Sequence, residues 1–478
     1  MLILLTIVVY LGLLLLLSRF TSRQADNDTF FRGRRQSPWY MVAFGMIGAS
    51  ISGVTFVSVP GMVMQTQMTY LQTCIGFIFG YIAVAFILLP LFYRNNLTTI
   101  YSYLNQRLGR QSYRSGAAFF LLSKMTGAAI RFYLVCMILH RFMLAQYGIP
   151  FPLTVLTMVL LIWLYTRRSG IRTLVWTDTL QTACMFAALI LIIISVVHQL
   201  GMTPSEAVRA IHADENSRIF VFDDWMSRQN FFKQFFSGIF IVIVMTGLDQ
   251  DMMQKNLTCR NLREAQKDMC TYGTLFFPAN LLFLSLGILL TILASQKGIA
   301  IPYAGDELLP MFAATGLLGQ SVVVLFTLGI VAASFSSADS ALTAMTTSCC
   351  VDIFRRPDDE HLRRRVHIAM AVVFIAIIIA VDNLNSTSII DAIYTLCSYT
   401  YGPLLGLFAY AIICGNDNNM GCNEGCAPYI VCLLSPIVCH AISVITLHTT
   451  GYHFGYELLM LNGLLTFLGL AVSNRVAD

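Results

Sequence analysis

The sequence predicts an all-α polytopic membrane protein of about thirteen transmembrane helices. Three observations carry this. Of 478 residues, 57% are apolar and 12% are charged, whereas a soluble domain carries about 25% charged residues. Apolar runs near the roughly 20 residues needed to span a bilayer recur along the whole chain. Lys and Arg gather in alternate connecting loops, the pattern left by membrane topology. The formal net charge of +5 is concentrated in those loops, so it argues for orientation and against nucleic-acid binding. No stretch accommodates a large soluble domain.

The spans fall at 2–18, 38–64, 70–93, 115–145, 151–167, 172–198, 229–254, 271–295, 317–350, 364–382, 387–413, 426–447 and 455–473. The first lacks a basic start and a small-residue cleavage site, so it reads as a retained helix and not a signal peptide. Basic clusters follow spans 1, 3, 5, 7 and 9, with Lys255, Arg260, Arg263 and Lys267 assigned to the loop after span 7. All five loops then face the cytoplasm, leaving the N-terminus outside and the C-terminus inside. The longest external loop, 199–228, reads as a solvated loop, with a short amphipathic helix as the alternative. Most of the 13 cysteines lie in apolar runs and act as small hydrophobes. Cys422 and Cys426 lack the second pair or histidines that zinc requires.

Two spans are interrupted. Span 2 contains Gly48-Ala-Ser-Ile-Ser-Gly53, then Pro60-Gly61. Span 7 contains Thr246-Gly-Leu-Asp-Gln-Asp251. Non-helical backbone survives at membrane depth only where protein or a cavity takes it up. With span 1 set aside, spans 2–6 and 7–11 form two sets of five, each opening on a broken helix. An odd count inverts the second set, and paired broken helices mark a transporter binding site. The expected organisation is an extra helix and cytoplasmic loop (1–37), a first repeat (38–198), the external loop (199–228), a second repeat (229–413) and two terminal helices (414–478).

Polar residues inside spans give the candidate sites. In Val331–Leu342, helical spacing places Ala333, Ser336, Ser337 and Ser340 on one side with Asp339 at its edge. Such groups are expensive in a bilayer unless they meet a cation, water or one another; close helix packing on small residues is the plainer alternative. Freed carbonyls near Gly48–Gly53, with serine hydroxyls, suit a hard cation such as sodium, and no histidine lies nearby to suggest a transition metal. Asp178, early in span 6, either pairs with Arg172 or another loop arginine or joins Ser336, Asp339 and Ser340 around a second cation. Arg131 lies too deep to snorkel. It either pairs with Asp249, Asp251 or Asp339, or clamps a carboxylate solute. Lys124 reads as reaching an interface. Asp249 and Gln250 either line a solute cavity or cap the half-helix after the break; Asp251 and Gln254 read as caps or gate residues.

Four motifs resemble the sodium:solute symporter family: GASISGVTFVSVPG at 48–61, WTDTLQ at 176–181, GLDQDMMQKNLTCRN at 247–261 and AASFSSADSALTAMTTSCCVDIF at 332–354. The resemblance covers residues 38–413. It implies a LeuT-type fold with a 5+5 inverted-repeat core and one or two Na+ ions. The main sodium site matches Gly48, Ile51, Ala333, Ser336 and Ser337. A second site, present in some members, matches Asp178, Ser336, Asp339 and Ser340, with Asp339 standing where a hydroxyl is expected. The solute region matches Ser50, Ser52, Val54 and Thr55. Val54 replaces the acid of sugar-type members, and Arg131 lies on the helix that supplies a carboxylate-binding arginine in a sialic-acid member.

The expected function is sodium-coupled symport of a small polar solute, an organic anion or carboxylate, by alternating access across the plasma membrane. The alternatives are a proton-coupled carrier using Asp339 or Asp178, since burial disfavours a charged carboxylate, and a sugar or polyol symporter. No enzyme motif appears, and a monomer in the bilayer suffices.

Overall fold

The computed structural model describes residues 2–21, 26–167, 170–301, 305–382, 389–415 and 426–477. Its membrane helices are α1 (Leu2–Thr21), α2 (Trp39–Ser50), α3 (Gly53–Thr66), α4 (Tyr70–Arg94), α5 (Arg110–Leu139), α6 (Phe151–Thr166) and α7 (Ile171–Gln199). They continue as α8 (Phe231–Gly247), α9 (Gln250–Asn256), α10 (Leu262–Lys297), α11 (Gln320–Ile353), α12 (Glu360–Asp382), α13 (Ile389–Ile413), α14 (Ala427–Thr450) and α15 (Leu458–Ala477). Counting each broken pair as one, ten of these are long and apolar enough to cross a membrane among the described residues, and α1, α6 and α15 are shorter apolar helices at the places of the other three expected spans. Cys422 lies outside the described residues, as does most of the loop before α14.

Both expected interruptions are present. Between α2 and α3 the chain bends by 60°, and between α8 and α9 by 70°. At the first break Ile51 (φ −78, ψ 76) and Ser52 (φ −67, ψ 170) leave the helical region. The last carbonyls of a helix lack intrahelical partners. Ile51 N–H satisfies Ile47 at 2.8 Å, and Gly48, Ala49 and Ser50 are the remaining carbonyls of that turn. At the second break Asp249 is the N-cap of α9, its carboxylate accepting from Asp251 N–H at 2.8 Å. An N-cap acid satisfies one of the orphan donors of a helix start.

Glycines bring the broken first span into close contact with its neighbours. A Cβ on Gly48 would meet Thr182, and one on Gly45 would lie 2.9 Å from Asp178 Cβ, so α2 runs directly against α7. Further on, Gly61 meets the backbone of Gly305, and Gly287 of α10 meets Pro60. The helix α11 is the buried centre: from Val331 to Ser336 and from Ala338 to Ser348 every residue is buried. It packs on α7, α5, α2 and α3, while α1 lies against α6, α7 and α11.

Two helices start earlier than expected, α5 at Arg110 and α10 at Leu262. A 36-residue α10 is roughly 54 Å long, well beyond the roughly 30 Å hydrocarbon core. It therefore emerges into the aqueous phase, where polar residues hide its helical character from a hydropathy reading. The segment 199–228 is likewise not plain loop. Pro204–Ala213 is a helix opened by a reciprocal capping box between Thr203 and Glu206, a signature that Thr203-x-x-Glu206 carries in sequence.

Candidate solute and cation site

A cavity of about 1040 Å³, its mouth included, lies between the two helix breaks. From the first break come Ser50, Ser52, Val54 and Thr55, and from the second Thr246, Asp249 and Asp251. The helix α5 contributes Lys124, Ala128 and Arg131, and α11 contributes Ser337. Thus the structure brings together every expected solute-region residue except Gln250. The Gln250 side chain turns away: its Oε1 accepts from Ile100 N–H at 3.0 Å and its Nε2 donates to the Thr98 carbonyl at 3.2 Å. It pins the segment before α5 to the break instead of facing the cavity.

Asp249 and Asp251 are not bare acids. Lys124 Nζ lies 3.1 Å from Asp249 Oδ2 and 2.6 Å from Asp251 Oδ2, with all three side chains buried. Tyr401 adds a hydrogen bond to Asp249 at 2.6 Å. This corrects the placement of Lys124 at an interface; it offsets the acids of the broken span from inside. The same bonds make Asp251 a cavity residue, while Gln254 is fixed by bonds to the Phe31 carbonyl and Thr347. The spacing of Lys124, Ala128 and Arg131, at i, i+4 and i+7, puts both cations on one helix face and is the signal that marks Lys124. Asp249 and Asp251 go to Lys124, and Asp339 is bonded by Tyr165 and Ser340. None of the three acids is therefore the partner of Arg131; the two cations and two acids of the cavity wall balance in formal charge, and among the described residues Arg131 is the cation there with no carboxylate within ion-pair distance.

Ser50 hydrogen-bonds Tyr272, which accepts from Tyr81 at 2.7 Å. A pair of tyrosines from α4 and α10 thus holds the open turn.

The expected main cation ligands lie on two helices that pack together beside that turn. Gly48, Ile51, Ala333 and Ser336 are buried where α2 meets α11, and Ser337 reaches the cavity. Sodium requires oxygen lone pairs, and the hydrogens of both serines point elsewhere. Ser336 donates to Asp178 Oδ1 at 2.7 Å and Ser337 to the Ser334 carbonyl at 3.0 Å. Each hydroxyl oxygen keeps lone pairs for a cation, so the donor set fits a hard monovalent ion.

Behind it lies the second cluster. Asp178, Ser336, Asp339 and Ser340 are all buried. Ser340 donates to Asp339 Oδ1 at 3.2 Å and Tyr165 to Asp339 Oδ2 at 2.6 Å. Asp178 does not pair with Arg172. Its partner is Lys255, with Nζ 2.7 Å from Asp178 Oδ2 and both side chains almost fully enclosed. The assignment of Lys255 to a cytoplasmic loop is therefore corrected: it is 1% exposed and belongs to the short half-helix α9. Its neighbours Arg260, Arg263 and Lys267 gave it the look of a topology signal. Among the described residues no group of three or more His, Cys, Asp or Glu could hold a metal ion.

Comparison with known proteins agrees with this geometry. The model of the Sodium:solute symporter family matches residues 30–426. The chain is 24% identical to the sodium/sialic acid symporter SiaT of Proteus mirabilis, over 89% of this chain and 87% of that protein. It is 22% identical to the sodium-coupled monocarboxylate transporter 2 of Bos taurus, over 82% of this chain and 64% of the relative. Among solved structures, a substrate-bound, outward-open Na+-coupled sialic acid symporter superposes with a TM-score of 0.83 at 20% identity, covering 100% of this chain and 98% of the other. Mhp1, a nucleobase-cation-symport-1 family transporter, gives 0.60 at 14% identity, covering 95% of each chain.

Proposed function

We propose, from the premise that this chain belongs to the sodium:solute symporter family, that its solute is a small organic anion held through a carboxylate by Arg131. Sodium-coupled symport is the activity of that family; the solute class and the residue roles are our reading. One observation carries it: Lys124 holds both cavity acids in direct ion pairs, and Arg131 lines the same cavity with no carboxylate paired to it among the described residues. A guanidinium presents paired N–H donors that match a carboxylate in plane. Ser50, Ser52 and Thr55 supply short polar contacts beside it, and Val54 supplies none. The sialic acid and monocarboxylate relatives, both named for acids, support the same class.

In this mechanism sodium enters from outside and is held by the Gly48 and Ile51 carbonyls, the Ala333 carbonyl and the Ser336 and Ser337 hydroxyls. It joins α2 to α11 and so shapes the wall that carries Ser50 and Ser52. Loss of sodium to the cytoplasm loosens that joint and releases the solute. A tenfold sodium gradient supplies about 1.4 kcal/mol per ion, enough for about tenfold accumulation without any help from voltage. The two sets of five spans, 38–198 and 229–413, act as the inverted halves that rock around the site, with the N-terminus outside and the C-terminus inside.

The test is a thermal-stability screen of the purified full chain with small carboxylates, amines and neutral sugars, each in sodium and in potassium. Stabilisation by carboxylates in sodium alone is expected. Stabilisation by sugars or amines with no carboxylate response would overturn the solute assignment.

A further inference from the structure

We propose that Lys255 is a tethered counter-ion that fills the second cation position, so that the protein binds one sodium ion per chain. The inference rests on the sodium-symport reading and adds the ion count to it.

Its basis is where the ammonium sits. Asp178, Ser336, Asp339 and Ser340 are the oxygen-bearing side chains that a second monovalent cation would use, and Lys255 Nζ lies 2.7 Å from Asp178 Oδ2. Asp251 and Asp339 are the other carboxylates whose charge acts on it. A lysine ammonium is a compact point charge with three donors, close in function to a monovalent ion among carboxylate and hydroxyl oxygens. Its contact with Asp178 is as short as a charge-assisted hydrogen bond, the kind of carboxylate contact a free cation would make. Burying a lysine this deeply is costly unless an acid neutralises it, and the departure at Asp339 supplies an extra acid beside it.

Lys255 also links the two sites. It lies on α9, four residues beyond Asp251, and Asp251 is bound to Lys124 at 2.6 Å in the cavity wall. The half-helix after the second break is therefore fastened at one end to the solute cavity and at the other to Asp178. One sodium moving with a monovalent anion carries no net charge, so transport would be driven by the sodium gradient and not by membrane voltage.

The test uses sodium as its own probe. Binding of radiolabelled sodium to the purified full chain should saturate at one ion per chain. Lys255→Met removes the ammonium but keeps most of its apolar volume, leaving Asp178 without a counter-charge, and should raise the count to two. Lys255→Arg keeps the charge and should stay at one. Two ions bound by the unaltered chain would overturn the proposal, as would one ion bound by folded Lys255→Met protein. If Lys255→Met does not fold, the count on the unaltered chain decides alone. No sodium bound by any form would instead overturn the symport reading, and this inference with it.

Discussion

Ser336 donates a hydrogen bond to Asp178 across 2.7 Å, joining the central helix α11 to α7. The bond fixes the serine hydrogen and leaves its oxygen lone pairs for a cation, so a bond between two helices also prepares a ligand. Behind it the charge of Asp178 is answered by Lys255; in front of it lies the open turn of α2.

Ser337→Ala should raise the sodium concentration for half-maximal binding about tenfold, since one lost oxygen contact is worth about 1–1.5 kcal/mol. Ser336→Ala should cost more, because it also leaves Asp178 short of a donor. Sodium titrations of thermal stability measure both. Equal sodium dependence in Ser337→Ala and the unaltered chain would remove Ser337 from the ligand set.

Arg131→Ala should weaken binding of a stabilising carboxylate by at least about tenfold, a hydrogen bond to a charged group being worth about 1.5–3 kcal/mol. Arg131→Lys should recover part of this, because the charge returns without the planar fork. Undiminished carboxylate binding in folded Arg131→Ala protein would count against the clamp.

Lys124→Met should destabilise the protein by about 3–5 kcal/mol, the cost of removing one partner from a buried ion pair. It leaves Asp249 and Asp251 facing each other across the break. Adding Asp249→Asn and Asp251→Asn should restore much of the loss. An unchanged unfolding temperature for Lys124→Met would mean that the pair does not hold α9 in place.

Gly48→Ala should destabilise by about 1–3 kcal/mol through overpacking, because the new methyl group meets Thr182 on α7. Gly127→Ala is the control, with nothing within 4 Å of the added Cβ and a small gain expected in helix propensity. Unfolding temperatures of the two variants, side by side, check the close contact between α2 and α7.

The long apolar helices and both breaks were legible because apolar length and interrupted polarity are local signals. Arg131 stood out by its depth alone, and Asp178 stood out with the serines of α11 because polar residues are rare in spans. What escaped was pairing at a distance. Lys255 looked like one more loop cation beside Arg260 and Arg263, and nothing local in the sequence aims it at Asp178. Tyr165 and Tyr401 lie in apolar spans where nothing local aims a hydroxyl at an acid, yet each donates to a buried carboxylate. Gln250 was placed in the cavity by its neighbours Asp249 and Asp251, but the first residue of α9 faces the opposite way, toward Ile100.

The central claim is that sodium fastens the opened turn of α2 to α11. Amide hydrogen exchange on the full chain, compared in sodium and in potassium, tests it most directly. Slower exchange in sodium at residues 48–54 and 333–340 together, lost in Ser337→Ala, is the predicted result. Identical exchange in the two salts at both segments would contradict it.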